Sequence, residues 1–257
     1  MISIEEIKKM SRLKGINYLG NAEKDYLLDI ALLSISRNTK DELVFKGGTC
    51  LYKFYKLDRF SEDIDFTLKN HLDIGNLTKK IIMDFNSFGI EAEIKSKKVV
   101  RNSTMITIRT KGPLYRGTSQ SVSCIRIDIN HKSEINAAAR TAKYISSYQD
   151  IPSYTLNIMQ AKEILAEKIR AIMTRSKARD IYDLWFLMEQ GVEFDEELTK
   201  EKLKYYKEKW DAKEFAGRID MKKAIWENEL RCLLSNVPDF QRTRESIFEK
   251  MKIVKQL

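Results

Sequence analysis

Residues 45–68 limit what this chain can fold into more than any other stretch. A short apolar run ends in a glycine pair, Gly47 and Gly48, and a second strand-like run carries Asp63 and Asp65 one residue apart. A strand repeats every two residues, so both aspartates point to one side while Ile64 and Phe66 point to the other. Two carboxylates on one strand face are hard oxygen ligands suited to Mg²⁺. The glycines let the backbone approach a bulky anion, and Thr49 opens a short helix whose free N–H groups face a phosphate. Phosphate cradle and metal carboxylates, one short helix apart, are the equipment for nucleotidyl transfer. Standing alone, the glycine pair reads as a tight strand-to-helix turn. The aspartates downstream favour the phosphate-contacting loop.

At 257 residues, 43% hydrophobic and 32% charged, the chain has room for one large or two modest globular domains. No apolar run approaches the roughly 20 residues of a membrane span, so no membrane partner is expected. The start, Met-Ile-Ser-Ile-Glu-Glu, lacks the basic and apolar regions of a signal peptide. Cys50, Cys124 and Cys232 are widely spaced and form no CxxC pair, which suits a reducing cytosol and a cytoplasmic location. Only His71 and His131 exist, which disfavours Ser-His-Asp catalysis and His-ligated metals.

The net charge of +9, from 46 basic and 37 acidic residues, fits a polyanionic partner or a generally soluble lysine-rich protein. Clustering says more. Lys95, Lys97, Lys98, Arg101, Arg109, Lys111 and Arg116 stand close in sequence with little acid between them. Lys202, Lys204, Lys207, Lys209 and Lys213 interleave with Tyr205, Tyr206 and Trp210. Basic groups hold phosphates while aromatics stack on bases. The other reading of the second cluster is an amphipathic helix with its aromatics in the core.

Periodicity predicts a buried helix over 22–37, a strand at 43–45, a short helix over 49–56, a strand at 64–68 and a helix over 74–88. Strands follow at about 90–98, 104–111 and 121–129, with Gly112, Pro113 and Gly117 marking a turn. After residue 158 the pattern is helical: 159–174, 178–190, 195–209, 218–234 and 240–254. The expected division is an α/β half with N-terminal helices, residues 1–157, and a helical half, residues 158–257, that contributes to the active site.

The motif at 47–65 resembles the first motif of the polymerase-β-type nucleotidyltransferases. The words around it, Glu23-Lys24-Asp25-Tyr26, Phe45-Lys46-Gly47-Gly48-Thr49, Arg59-Phe60-Ser61-Glu62-Asp63-Ile64-Asp65 and Arg179-Asp180-Ile181-Tyr182-Asp183, are similar to one family within it, the AbiEii/AbiGii toxin-type nucleotidyltransferases. The likeness runs from about residue 20 to about 190. It implies an α+β fold: a mixed sheet with flanking helices, then an α-helical C-terminal region.

The resemblance also implies a catalytic set. Asp63 and Asp65 would hold two Mg²⁺ ions, or Mn²⁺ in their place, with Asp128 on a neighbouring strand as third ligand. Asp128 stands in a run otherwise reading as a buried strand, where a carboxylate is costly unless metal-bound or paired, here with Arg126. Gly47, Gly48 and Thr49 would contact the NTP phosphates. Lys46 would neutralise phosphate charge or be solvated. Ser61 and Arg59 would touch the triphosphate or brace the loop. Lys168, seven residues from Arg175 and on the same helix face, would contact the triphosphate and neutralise the leaving pyrophosphate, assisted by Arg175 and Arg179. Asp180 and Asp183 would position those cations or bind nucleotide, although Arg179 and Asp183 also read as an ordinary i,i+4 surface pair.

By the same resemblance the acceptor is an RNA such as a tRNA 3′ end, and the partner a cognate antitoxin. Two other readings use this fold. An enzyme modifying a cationic antibiotic would want an acid-rich site, which +9 opposes. A non-catalytic nucleotide- or RNA-binding module would require loss of a metal ligand.

Overall fold

The structure, a computed structural model, describes residues 1–100, 102–131 and 135–253. Contacts divide the chain into two compact units. The first comprises Met1–Lys56, Phe60–Ser133 and Ala139–Ile158, and the second Leu57–Arg59, Glu134–Ala138 and Met159–Leu257.

In the first unit, helices α1 (Ile4–Leu13), α2 (Leu19–Asn38), α3 (Gly47–Phe54) and α4 (Ile74–Ser87) accompany strands β1 (Leu43–Lys46), β2 (Asp63–Leu68), β3 (Glu91–Val100), β4 (Ser103–Lys111), β5 (Ser123–Asn130), β6 (Arg140–Tyr144) and β7 (Tyr154–Ile158). The strands make one mixed sheet in the order β3-β4-β5-β2-β1-β7-β6. β2 runs parallel to β5 and antiparallel to β1. Ile64 and Phe66 on β2, Ile125, Ile127 and Ile129 on β5, and Ile106 and Ile108 on β4 are buried, the alternation of a sheet covered on one face. Each such side chain contributes about 1.5–3 kcal/mol by leaving water. α2 is apolar on nearly every side, with Tyr26, Leu27, Leu28, Ile30, Leu32 and Ile35 all inaccessible.

The fold class is as expected, a mixed α/β sheet with flanking helices. Two strands, β6 and β7, have no counterpart in the sequence reading, and α1 is an N-terminal helix for which periodicity set no range. β7 joins β1 in parallel through Phe45 and Ile158, and β6 forms an edge. Both are five residues long, and β6 is polar and largely exposed, so no apolar run betrays it.

The second unit carries α5 (Ala161–Thr174), α6 (Ala178–Glu189), α7 (Glu196–Lys204), α8 (Ala212–Asp220), α9 (Lys223–Leu230) and α10 (Phe240–Met251). The single helix expected over 218–234 is instead α8 and α9. Lys222, 2% exposed, lies between them and donates to the carbonyls of Arg218 and Ile172, both at 2.9 Å. The helix expected over 195–209 stops at Lys204, and Lys207 sits at φ 61°. The expected end of the last helix, residue 254, lies outside the described residues.

That stop breaks up the second basic-aromatic cluster. Lys202 is buried against Glu163 at 2.6 Å, Trp210 stacks between Phe194 and Phe215, and Tyr206 lies under the Arg170 guanidinium at 4.2 Å. In the first cluster, Arg109 pairs with Glu93 and Lys111 with Glu91, and Lys95, Lys97 and Lys98 line the outer strand, where charge guards an exposed edge. Arg101 lies outside the described residues.

Candidate active site

β2 delivers Asp63 and Asp65 to one sheet face, both half-buried, with Ile64 and Phe66 turned into the core. β5 lies beside it in parallel, and register pairs Asp63 with Arg126 and Asp65 with Asp128. On the other side, β1 pairs Lys46 with Asp65. Lys46 is 7% exposed, so the alternative of a solvated lysine falls away. A lysine is left uncompensated at that depth only at great cost, and the aspartates of this face are its neighbours. Burial pushes the Asp128 carboxyl above the usual range, with Lys46 pulling it down and Asp63 pushing it further up.

Asp128 accepts a hydrogen bond from Ser103 Oγ on β4, a partner that sequence gave no sign of. Its alternative partner Arg126 instead faces Asp63 at 3.7 Å. Gly47 begins α3 at φ 76°, and a Cβ there would meet Asp65 Oδ2 at 2.5 Å. The glycine is therefore required twice, by its backbone angle and by the carboxylate lying over it. Gly48 follows in the first turn of α3, where backbone N–H groups have no helical partner. Thr49 hydroxyl bonds to Ser61 Oγ at 2.9 Å and to the Asp63 carbonyl, tying the cradle to the start of β2.

Among the described residues, no three His, Cys, Asp or Glu side chains are gathered closely enough to hold an ion as they stand. The donor set nevertheless fits one in kind. Three carboxylates on two adjacent strands offer the hard oxygens a divalent cation such as Mg²⁺ takes, once Asp128 turns from Ser103 and Asp63 from Arg126.

In the second unit a separate ionic cluster gathers the remaining candidates. Lys168, on α5, reaches Asp183 at 2.6 Å and Asp180 at 3.1 Å on α6. Arg175 lies not on the helix face expected for it but just past the end of α5, in extended backbone. From there its guanidinium takes Asp180 at 2.7 and 2.8 Å. Arg59 binds Asp183 with two donors, at 2.6 and 2.7 Å, and is 2% exposed. The i,i+4 surface pair of Arg179 and Asp183 is not formed: Asp183 is fully buried against Arg59 and Lys168, while Arg179 is half-buried.

Burial alone would raise the Asp180 carboxyl, but Lys168 and Arg175 outweigh it and hold it well below the usual range. A carboxylate depressed in the folded state stabilises above its unfolded pKa of about 3.9 and loses that contribution as pH falls through its folded value. Urea midpoints are therefore expected to fall steadily from about pH 5 toward pH 2. Asp180→Asn should flatten that slope in part, because Asp25 and Asp183 are depressed in the same way. An unchanged slope in Asp180→Asn would remove Asp180 from the account.

Residues 31–250 match the family described as nucleotidyl transferase AbiEii toxin of type IV toxin–antitoxin systems. No match was found among curated proteins. Among solved structures, MenT4, a nucleotidyltransferase toxin from Mycobacterium tuberculosis H37Rv, is similar with a TM-score of 0.67 and 17% identity, over 100% of this chain and 91% of that one. A putative nucleotidyltransferase from H. pylori follows with a TM-score of 0.60 and 20% identity, over 91% and 93%. JHP933 from Helicobacter pylori gives 0.53 and 18%, over 92% of each chain. Likeness at such identities speaks to the fold alone, whereas the family match spans most of the sequence. The chain belongs to the AbiEii family of toxin-type nucleotidyltransferases.

Proposed function

We propose that this toxin-type nucleotidyltransferase uses Mg²⁺, with Mn²⁺ as a substitute, to move a nucleoside monophosphate from an NTP onto an RNA hydroxyl, such as a tRNA 3′ end. The observation that carries this reading is the β2–β5 register, which sets Asp128 directly opposite Asp65 with Asp63 on the same face. The acceptor oxygen attacks the α-phosphorus, the bond from that phosphorus to the β-bridging oxygen breaks, and pyrophosphate leaves. Asp63, Asp65 and Asp128 would hold divalent cations, which would supply neutralisation of the charge that develops during transfer. The backbone N–H groups at Gly47, Gly48 and Thr49, with the Lys46 ammonium beside them, orient the phosphates and offset their charge. Ser61 keeps Thr49 in place.

Residues 158–257 are proposed to contribute Lys168 and Arg175 as triphosphate contacts, with Asp180 and Asp183 orienting them and Arg179 assisting. Arg175 supports this best, since half its side chain remains exposed while Asp180 fixes its guanidinium. A cognate antitoxin and a cytoplasmic setting complete the proposal; among the described residues no helix is long and apolar enough to cross a membrane.

The test is transfer of label from each of four α-³²P-labelled NTPs to total cellular RNA with Mg²⁺. Wild-type protein should label tRNA-sized RNA with at least one NTP. Asp63→Asn/Asp65→Asn should lower labelling by about a thousandfold or more. Labelling that survives in the double variant would refute the site, and no labelling by the wild type would refute an RNA acceptor.

A further inference from the structure

Along β5, β4 and β3 the helices lie on one side of the sheet. α2 packs on β5 and α4 on β3, and on that side Ile106, Ile108, Ile125, Ile127 and Ile129 are buried. The opposite face is the one that presents Asp63 and Asp65, and β5, β4 and β3 continue it outward. Register fixes which side chains share it, since paired residues point the same way. One row runs Asp65, Asp128, Met105, Lys98, and the next runs Asp63, Arg126, Thr107, Ser96. Strands lie about 4.8 Å apart, so Lys98 stands about 10 Å from Asp128, at the outer end of its row. This face is open. Met105 is 45% exposed, the Arg126 side chain is 64% exposed, Lys98 is exposed, and Thr107 and Ser96 are half-buried.

Beyond the carboxylates these two rows hold no acid. Their charges are Arg126 and Lys98, both cations, and Glu93 in the following row is paired with Arg109. Arg126 faces Asp63 at 3.7 Å, longer than a hydrogen bond, so its donors remain available to another anion. Between the two cations lie the thioether of Met105 and the hydroxyls of Thr107 and Ser96. Methionine gives a polarisable apolar surface on which a base can lie. The hydroxyls suit ribose, and the cations suit phosphates. An open sheet face with these components fits single-stranded RNA, whose splayed bases can lie flat on a sheet, better than a duplex that keeps its bases stacked inside.

Position assigns the platform to the acceptor. The sheet order β5-β2-β1 puts the aspartates of β2 between it and the Gly47 cradle at the end of β1. In an in-line displacement the attacking hydroxyl arrives opposite the leaving pyrophosphate. With the pyrophosphate at Gly47, the hydroxyl comes from the side of β5. We propose that the open face of β5, β4 and β3 carries the single-stranded 3′ end of the acceptor RNA, one of its bases lying on Met105 while Arg126 and Lys98 hold its phosphates. The inference rests on the nucleotidyl-transfer reading above.

Lys97 and Lys98 provide the comparison that tests it. They are adjacent on one strand but face opposite sides: Lys97 pairs in register with buried Ile106, and its Nζ lies 3.7 Å from where a Cβ on Gly75 of α4 would stand. Binding of a fluorescent single-stranded oligoribonucleotide is read by anisotropy without NTP over a range of salt, and labelling of the same RNA is read with NTP. Lys98→Ala should weaken binding about three- to tenfold and flatten the slope of log affinity against log salt by about 0.7, the value of one single-strand phosphate contact. Lys97→Ala removes the same charge from the other face and should change affinity by less than about twofold, with the slope kept. Met105→Ser should weaken binding about threefold or more. Met105→Tyr, which adds a ring at an open position, should tighten it about fivefold or more. KM for the NTP should stay within about twofold in all four variants.

Equal effects of Lys97→Ala and Lys98→Ala would mean diffuse attraction to a basic strand and would overturn the platform. So would RNA binding that neither Met105 variant moves while labelling proceeds, a result that leaves the face to a protein partner. Both outcomes leave nucleotidyl transfer intact. Wild-type protein that labels no RNA with any NTP is a different failure, that of the transfer reading, and it takes the acceptor assignment with it.

Discussion

Gly47→Ala is expected to lower kcat/KM for nucleotidyl transfer by a factor of about 10²–10³ while the protein remains folded. Two costs meet at this residue. The first is backbone: φ is 76°, and holding an L side chain in that region costs about 1–2 kcal/mol. The second is steric and specific. The added methyl would stand 2.5 Å from Asp65 Oδ2 and 3.1 Å from Asp65 Cβ and Cγ. β2 is held between β1 and β5 by ladder hydrogen bonds, so the carboxylate turns aside before the strand moves. Displacing a metal-binding oxygen by about 1 Å is enough for a hundredfold loss. Gly191→Ala is the control. Gly191 has φ 80° and nothing within 4 Å of its would-be Cβ, so it carries the backbone cost alone. It should lose comparable stability in urea and keep full activity. If Gly47→Ala retains more than a tenth of wild-type activity, its contact with Asp65 is not part of the catalytic geometry.

The features legible in the sequence were those set by short-range periodicity. Asp63, Ile64, Asp65 and Phe66 alternate, and the structure turns the aspartates one way and the apolar pair the other. The apolar α2 and the strands rich in Ile declare themselves in the same way. What stayed hidden depended on long-range pairing. β7 is five residues and finds its place only by pairing with β1, more than a hundred positions earlier. Ser103 meets Asp128 because an antiparallel register puts β4 beside β5, which no spacing announces. The stop of α7 at Lys204 and the split of α8 from α9 override good helical periodicity, the latter where a buried lysine takes two carbonyls. Glu163 illustrates the limit in the other direction. Nothing in its helical run singles it out, yet it is buried and receives Lys202 together with the backbone N–H groups of Asn136 and Ala137. One further network left a sign that was passed over: Asp25 and Asp29, acids one turn apart in an otherwise apolar helix.

That network carries the largest expected stability effect. Lys53, on α3, has a side chain 1% exposed, and its ammonium lies 2.5 Å from Asp25 and 2.6 Å from Asp29, both fully buried. Burial opposes its charge, but the two carboxylates prevail and raise its pKa well above the ordinary lysine value. Asp25 also receives Lys14 at 2.6 Å and the Tyr148 hydroxyl at 2.9 Å, whereas among the described residues Asp29 has only the hydroxyls of Ser146 and Tyr154 besides Lys53. Removing the lysine therefore leaves a buried carboxylate without a cation, and Lys53→Met should destabilise the first unit by about 3–5 kcal/mol. Neutralising the orphan should restore much of this, so Lys53→Met/Asp29→Asn is expected to be more stable than Lys53→Met alone, a coupling measurable as a double-mutant cycle. All three tryptophans, Trp185, Trp210 and Trp226, lie in the second unit, so their fluorescence reports the wrong half. Amide hydrogen exchange of α2 and α3 reads the right one, and protection there should fall while the tryptophan transition in urea holds. α3 begins at Gly47, so loosening its anchor should also raise KM for the NTP more than it lowers kcat. Exchange in α2 and α3 indistinguishable from wild type would mean that Lys14 and the tyrosine hydroxyls suffice, and that Lys53 holds nothing in place.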